Sequence, residues 1–172
     1  MNTGVVIKNA DLEDVTILCG LVRKSYRSVA QRFGLTPENC LKHPSNCTDA
    51  WIRNDLDRGV SFYLMEHNGL PAGCAALEIP EPELGYLERL AVLPSSRHRG
   101  LGRRLVDHVF LQAQKAGVHN ISIGIIAAQT DLKNWYQKIG FVEGDTREFT
   151  HLPFSVTFMM YQLPSKGGID EK

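Results

Sequence analysis

The sequence predicts an α/β protein built on a mixed central sheet of about six to seven strands flanked by helices. Three observations carry that prediction. Short β-branched runs recur between longer segments whose apolar residues return every three or four positions. An Asn68-Gly69 pair separates two extended runs, which is a strong hairpin signal because both residues accept positive φ. The largely apolar run from Asn120 to Ala127 follows an amphipathic segment, as a strand covered on both faces would.

Each element follows in order. Val5-Val6-Ile7 within Gly4 to Lys8 reads as a strand. Asp11 opens a helix with Asp14 in its first turn, and Val15, Leu18, Val22, Tyr26 and Val29 give it one buried face, ending near Phe33-Gly34. Leu35 to Cys47, with Pro37 and Pro44, reads as an irregular connection, and Thr48 as the cap of a second helix through Trp51 and Leu56. Ser61 to Glu66 and Ala72 to Glu78 form the hairpin, which the prolines at 80 and 82 interrupt. Leu84 to Val92 is a further strand. Leu101, Leu105, Val109 and Ala113 mark a long helix with Gly117 at its C-cap. Thr130 caps a short helix carrying Leu132, Trp135, Tyr136 and Ile139, stopped by Gly140; Phe141 to Phe149 and Ser155 to Leu163 are the last strands. One domain over residues 1–164 is expected, with a mobile tail over 165–172.

Composition narrows the function classes. Lys+Arg and Asp+Glu are both 19, so no basic surface for nucleic acid is implied, and a steered polyionic partner is disfavoured. No run approaches the roughly 20 apolar residues of a membrane span, and the N-terminus lacks a basic region followed by an apolar stretch. No membrane partner and a cytoplasmic location are therefore expected. Cysteines 19, 40, 47 and 74 are too sparse for a disulfide scaffold. Cys40-x2-His43-x3-Cys47 supplies three ligands where structural zinc wants four, so a loop with buried or free thiols is expected, and no metal.

The most informative segment runs from Glu88 to Leu105 as strand, loop, glycine-rich turn and helix. A helix start offers backbone N–H groups without intrahelical partners and a partial positive charge, a combination that binds phosphates. Gly100 and Gly102 allow close approach to the backbone, and Arg97, Arg99, Arg103 and Arg104 crowd four guanidinium groups about the same turn. A pyrophosphate is the natural partner; a tight turn with solvated arginines is the alternative. No Gly-Lys-Ser/Thr follows and the G-x-G-x-x-G spacing is missing, so neither a Walker loop nor a dinucleotide fingerprint is present.

Arg97-x-x-Gly100-x-Gly102, preceded by Leu90-Ala91-Val92-Leu93-Pro94, resembles the pyrophosphate-binding motif Arg/Gln-x-x-Gly-x-Gly/Ala of the GNAT family of N-acetyltransferases. Downstream, Asn134-Trp135-Tyr136-Gln137-Lys138-Ile139-Gly140-Phe141 resembles that family's helix ending in Tyr-x-x-x-Gly-Phe. The resemblance spans Val5 to Leu163 and is weakest from Leu35 to Asp57. It implies the GNAT-like acyl-CoA N-acyltransferase fold and acetyl-CoA as co-substrate. Backbone groups of Leu90, Ala91 and Val92 would bond the pantetheine arm in a V-shaped opening between strands 84–92 and 120–127. The turn Arg97, His98, Arg99, Gly100, Leu101 and Gly102, with Arg103, would hold the pyrophosphate. Asn134 would lie near the arm, although the usual family asparagine falls several residues before the tyrosine, where Gln129 stands here.

In that family an amine attacks the thioester directly, so the enzyme must position the amine, remove a proton and protonate the leaving thiolate. Tyr136 matches the family's general acid; the alternative is that it only packs its helix on the sheet. Glu88 is the leading candidate base. A two-residue period groups it with Leu84, Tyr86, Leu90 and Val92 on one face, where burial would raise its pKa. Pairing with an arginine or contact with solvent are the alternatives, and some relatives carry their glutamate where Tyr86 stands. The acceptor, a small-molecule or peptide amine, is expected against Tyr26, Arg32, Phe33, the 35–57 segment with Trp51 and the Cys40–Cys47 loop, and His151, by analogy with where that family varies. A homodimer through the last strand fits the family's habit. A non-catalytic acyl-CoA sensor would keep the glycine turn but need neither Tyr136 nor Glu88, and a nucleotide-binding regulator could use the same turn.

Overall fold

The computed structural model describes residues 4–165, so most of the expected tail over 165–172 lies outside the described residues. Seven strands form one sheet in the order β1-β2-β3-β4-β5-β7-β6. They are β1 (Val5–Asn9), β2 (Ser61–His67), β3 (Leu70–Glu81), β4 (Leu84–Val92), β5 (Asn120–Ile126), β6 (Val142–Glu148) and β7 (Ser155–Gln162). Among the described residues only the β4–β5 pair is parallel. A parallel pair needs a crossover, which α3 (Leu101–Lys115) supplies.

Helices α1 (Val15–Phe33) and α2 (Asp49–Asp57) cover one face of the sheet; α3 and α4 (Thr130–Ile139) cover the other. The alternation of β2 explains the two layers: Phe62 and Leu64 pack toward α1, while Tyr63 and Met65 pack toward α3. Leu105, Val106 and Val109 of α3 are fully buried against Ala75, Leu77 and Ile121. Deleting a side chain at such a site costs about 2–5 kcal/mol.

The local signals act as their chemistry requires. Asp11 and Asp14 form a reciprocal capping box, the Asp11 carboxylate accepting from Glu13 N–H at 2.9 Å and the Asp14 carboxylate from Asp11 N–H at 3.0 Å. The β2–β3 hairpin turns through Asn68 at φ 52° and Gly69 at φ 80°. Helix α3 ends before Gly117 at φ 80°.

Four expectations are corrected. The prolines do not end β3 at Glu78: the strand runs to Glu81 because β2 pairs only as far as Leu77, so Pro80 has no β2 neighbour to lose a bond to. Thr130 is the first helical residue of α4, not its cap; Gln129 is the cap, without a side-chain bond. The last strand is not exposed at an edge, since β7 lies between β5 and β6, and β6 is the edge. Finally, Leu90 and Val92 do not share a face with Glu88. Ala76 pairs with Glu88 and Cys74 with Ala91, so β4 carries one extra residue, and Arg89 at φ 50° turns the following residues over. Glu88 and Ala91 stay on the α1 side; Leu90 and Val92 pack on the α3 side.

Among the described residues no helix is long and apolar enough to cross a membrane.

Candidate active site

The site begins where the sheet fails to close. β4 and β5 pair only from Leu84–Tyr86 to Asn120–Ser122. Beyond that register the bulge at Arg89 swings β4 away, and the V-shaped opening expected between the two strands is present. Leu87 to Leu90 form one wall and Ile123 to Ile126 the other, enclosing a cavity of about 380 Å³.

A second cavity of about 670 Å³ continues from it toward the start of α3. Tyr26, Val29, Leu90, Gln129, Leu132 and Tyr136 line both, so the two are one continuous cleft. Its far end is formed by Ala91, Val92, His98, Gly100, Leu101, Gly102 and Arg103. Here the backbone takes two left-handed steps, His98 at φ 63° and Gly100 at φ 74°. Gly100 is the N-cap of α3 and supplies no side-chain bond, so the first-turn amides keep their capacity for an anion. A Cβ on Gly100 would meet no protein atom within 4 Å, so the left-handed φ, not crowding, is what favours glycine there.

The expected cluster of guanidinium groups is revised. Arg97 lines the cleft but is committed to the protein: Nη2 donates to Ser25 O at 2.6 Å, Nε to Val92 O at 3.2 Å and Nη1 to Ser28 Oγ at 3.4 Å. It ties the turn to α1 and the end of β4, holding the amides in place. Arg103 pairs with Asp107 at 2.9 Å on the surface. Arg99 is exposed and outside the cleft lining.

Glu88 and Tyr136 both line the inner cavity. Burial, reinforced by the Glu78 carboxylate and opposed by Arg89, pushes the Glu88 carboxyl up to about 7. The arginine that could have neutralised it is engaged elsewhere, because Arg89 Nε donates to Asp55 Oδ2 at 3.0 Å. Tyr136 is 5% exposed, with Trp135 and Phe141 edge-on to its ring. Burial raises its pKa far above the usual phenol value, so it is neutral and available only as a proton donor.

The remaining expected residues divide. Gln129 and Tyr26 line both cavities. Asn134 is exposed and lines neither. Phe33, Trp51 and His151 also lie outside both linings. Phe33 packs with Leu35 and Phe154, Trp51 sits under the Arg89 guanidinium at 5.8 Å, and His151 neighbours Phe149 at 5.8 Å. Arg32 and, from the 35–57 segment, His43 do line the cleft as expected, and Phe154, Val156 and Asp131 join them. His43 is 7% exposed, lies edge-on to Tyr26 and bonds Ser45 Oγ through Nδ1 at 2.8 Å. Phe154 and Val156 complete the inner wall. Arg32 and Asp131, paired at 2.9 Å, join the end of α1 to the start of α4 across the outer cavity. The four cysteines are buried free thiols, and among the described residues no group of three or more His, Cys, Asp and Glu could hold a metal ion.

This arrangement matches known proteins. Residues 26–141 match the model of the acetyltransferase (GNAT) family. An amino-acid acetyltransferase of Neisseria meningitidis serogroup A is 29% identical over 139 residues, covering 80% of this chain and 27% of that protein. The chain spans 20–27% of the length of the first curated relatives it matches. The ribosomal-protein-S18-alanine N-acetyltransferase from Escherichia coli superposes with a TM-score of 0.75 at 17% identity, over 98% of this chain and 99% of that one. A GNAT family acetyltransferase from Elizabethkingia anophelis with acetyl-CoA bound gives 0.69 at 18% identity, over 94% and 100%. With the family model covering more than half its length, and the splayed strands and uncapped glycine turn in the expected order, the chain belongs to the acetyltransferase (GNAT) family.

Proposed function

We propose that this chain is an acetyl-CoA-dependent N-acetyltransferase that moves an acetyl group to a primary amine by direct attack on the thioester. The observation that carries the reading is the continuous cleft: an anion-ready helix start at one end, and a raised carboxyl with a neutral buried phenol at the other. A relative's structure holding acetyl-CoA and curated relatives named for amino-acid acetylation support it.

In this reading the α3 turn from His98 to Gly102 takes the diphosphate, and Arg97 acts by bracing that turn. The edge of β4 at Leu90, Ala91 and Val92, freed by the bulge, lies along the pantetheine arm, with Gln129 opposite. Bound acetyl-CoA supplies the electrophilic carbonyl and the leaving sulfur. Glu88, half-ionised near pH 7, accepts the proton of the incoming ammonium, directly or through water. The amine nitrogen bonds the carbonyl carbon, the carbon–sulfur bond breaks, and Tyr136 Oη gives its proton to the departing sulfur. The surplus proton of the acylated nitrogen passes to the Tyr136 oxygen, directly or through water, and Glu88 releases its proton to solvent, which restores the enzyme. Tyr26 and the inner wall hold the acceptor.

The reading takes residues 1–164 as one acetyltransferase domain located in the cytoplasm, with a homodimer formed through the exposed edge strand β6. Light scattering of the purified chain tests the dimer. Thiol release from acetyl-CoA across a panel of amines tests the activity. Turnover above hydrolysis with at least one amine is expected; acetyl-CoA binding without thiol release for any amine class would replace the enzyme by an acyl-CoA sensor.

A further inference from the structure

The inner cavity has a charge pattern that bears on which amine it accepts. Among the described residues Arg89 is the one arginine or lysine in its lining. Asp55 of α2, 5% exposed, holds Arg89 through Oδ2 at 3.0 Å and Arg58 through Oδ1 at 2.9 Å. Arg58 in turn bonds Glu78 at 2.6 Å. Two guanidinium groups thus face Asp55, Glu78 and Glu88. The set is neutral when Glu88 is protonated and carries one negative charge when it is ionised. The remaining basic group, His43, is held below the ordinary imidazole range by burial and has Nδ1 engaged by Ser45. The rest of the lining is largely apolar, with Leu87, Ile123, Ile125 and Phe154 among its walls.

We propose that the acceptor is a small apolar primary amine without a carboxylate, and that Asp55 enforces this choice by occupying the cavity's one arginine; the proposal rests on the acetyltransferase reading above. A carboxylate entering beside Glu88 loses its water and meets an arginine whose charge Asp55 already balances, whereas an ammonium meets a set that is neutral to negative. The cavity of about 380 Å³ is of small-molecule size. Asp55 is a specificity residue in this account: it selects by removing a charge the unwanted acceptors need, a form of discrimination by unfavourable contact.

The test is calorimetric titration of the CoA-saturated protein with 2-phenylethylamine, phenylalaninamide, phenylalanine and glutamate, paired with thiol release from acetyl-CoA for the same four. Phenylalaninamide controls for the bulk of the carboxylate without its charge. The expected result is binding and kcat/KM for the first two at least about ten-fold better than for phenylalanine, with glutamate poorest. Asp55→Asn, which releases Arg89, should narrow the gap between phenylalanine and phenylethylamine by about three-fold or more. Phenylalanine or glutamate binding as well as the uncharged analogues, or none of the four binding, overturns the proposal while acetyl-CoA binding leaves the acetyltransferase reading standing. Failure of acetyl-CoA itself to bind overturns both. An unchanged gap in Asp55→Asn overturns the role given to Asp55, and if that variant does not fold Asp55→Ser is read in the same way.

Discussion

Replacing Glu88 by glutamine removes the proposed base and, at the same time, a carboxyl the fold holds protonated up to about pH 7. Both effects have a size. With a pKa of about 7, roughly one tenth of Glu88 is ionised at pH 6 and about nine tenths at pH 8. The ratio of wild-type to Glu88→Gln kcat/KM should therefore rise about ten-fold across that interval, and taking the ratio cancels the acceptor's own ionisation. At the plateau the loss should lie in the range of about 10²–10⁴ for a general base. Stability moves the other way. Because the folded value lies above the unfolded value near 4.5, the native state holds the extra proton between those limits, and stability falls as pH rises from about 4.5 to 7 and then levels. Glutamine escapes that cost, so Glu88→Gln should be more stable than wild type at pH 8 by at most about 3 kcal/mol, an upper bound because the side chain keeps some contact with water. At pH 4 the two should coincide. Steady-state kinetics and thermal melts at pH 4, 6 and 8 measure both. A flat activity ratio together with equal melting at pH 8 would refute the reasoning.

Tyr136→Phe keeps the ring among Trp135 and Phe141, so melting should be unchanged while kcat falls about 10²-fold or more, checked by thiol release. Gly100→Ala forces a side chain into φ 74°, costing about 1–2 kcal/mol, and should weaken acetyl-CoA binding in calorimetry. Arg97→Ala removes the donors to Ser25 O and Val92 O; denaturant melts should show a loss of about 1–3 kcal/mol, and the cofactor Kd should rise because the turn loses its brace.

The parts of this fold legible in the sequence are those written in local chemistry. Asn68-Gly69, the period of α3 and the closing Gly117 each need specific residue types, and each stands where expected. The glycine turn was legible for the same reason. The bulge at Arg89 was not, since an arginine at positive φ leaves no compositional trace, and a strict two-residue period misplaces Leu90 and Val92. Arg97 reads as a phosphate ligand because its target carbonyl lies 72 positions away on α1, a contact that only the folded chain reveals. Chain order puts the last strand at the edge, whereas the spatial order β5-β7-β6 inverts it. Phe33 and Trp51 read as acceptor contacts only by analogy with where the family varies, and analogy does not distinguish an aromatic ring that faces the cleft from one that packs beside it. The burial of His43 beside Tyr26 depends on a loop without periodic signal, so the sequence singles out the Cys40–Cys47 loop but not which of its side chains faces the cleft.

The central claim is that the amides opening α3 grip the diphosphate of coenzyme A, and one titration tests it most directly. Calorimetry of the purified chain with acetyl-CoA, with ATP as competitor, should give acetyl-CoA binding at least about ten-fold tighter than ATP, because the pantetheine arm adds contacts along β4. ATP binding as tightly as acetyl-CoA, or no heat with acetyl-CoA at all, would contradict it.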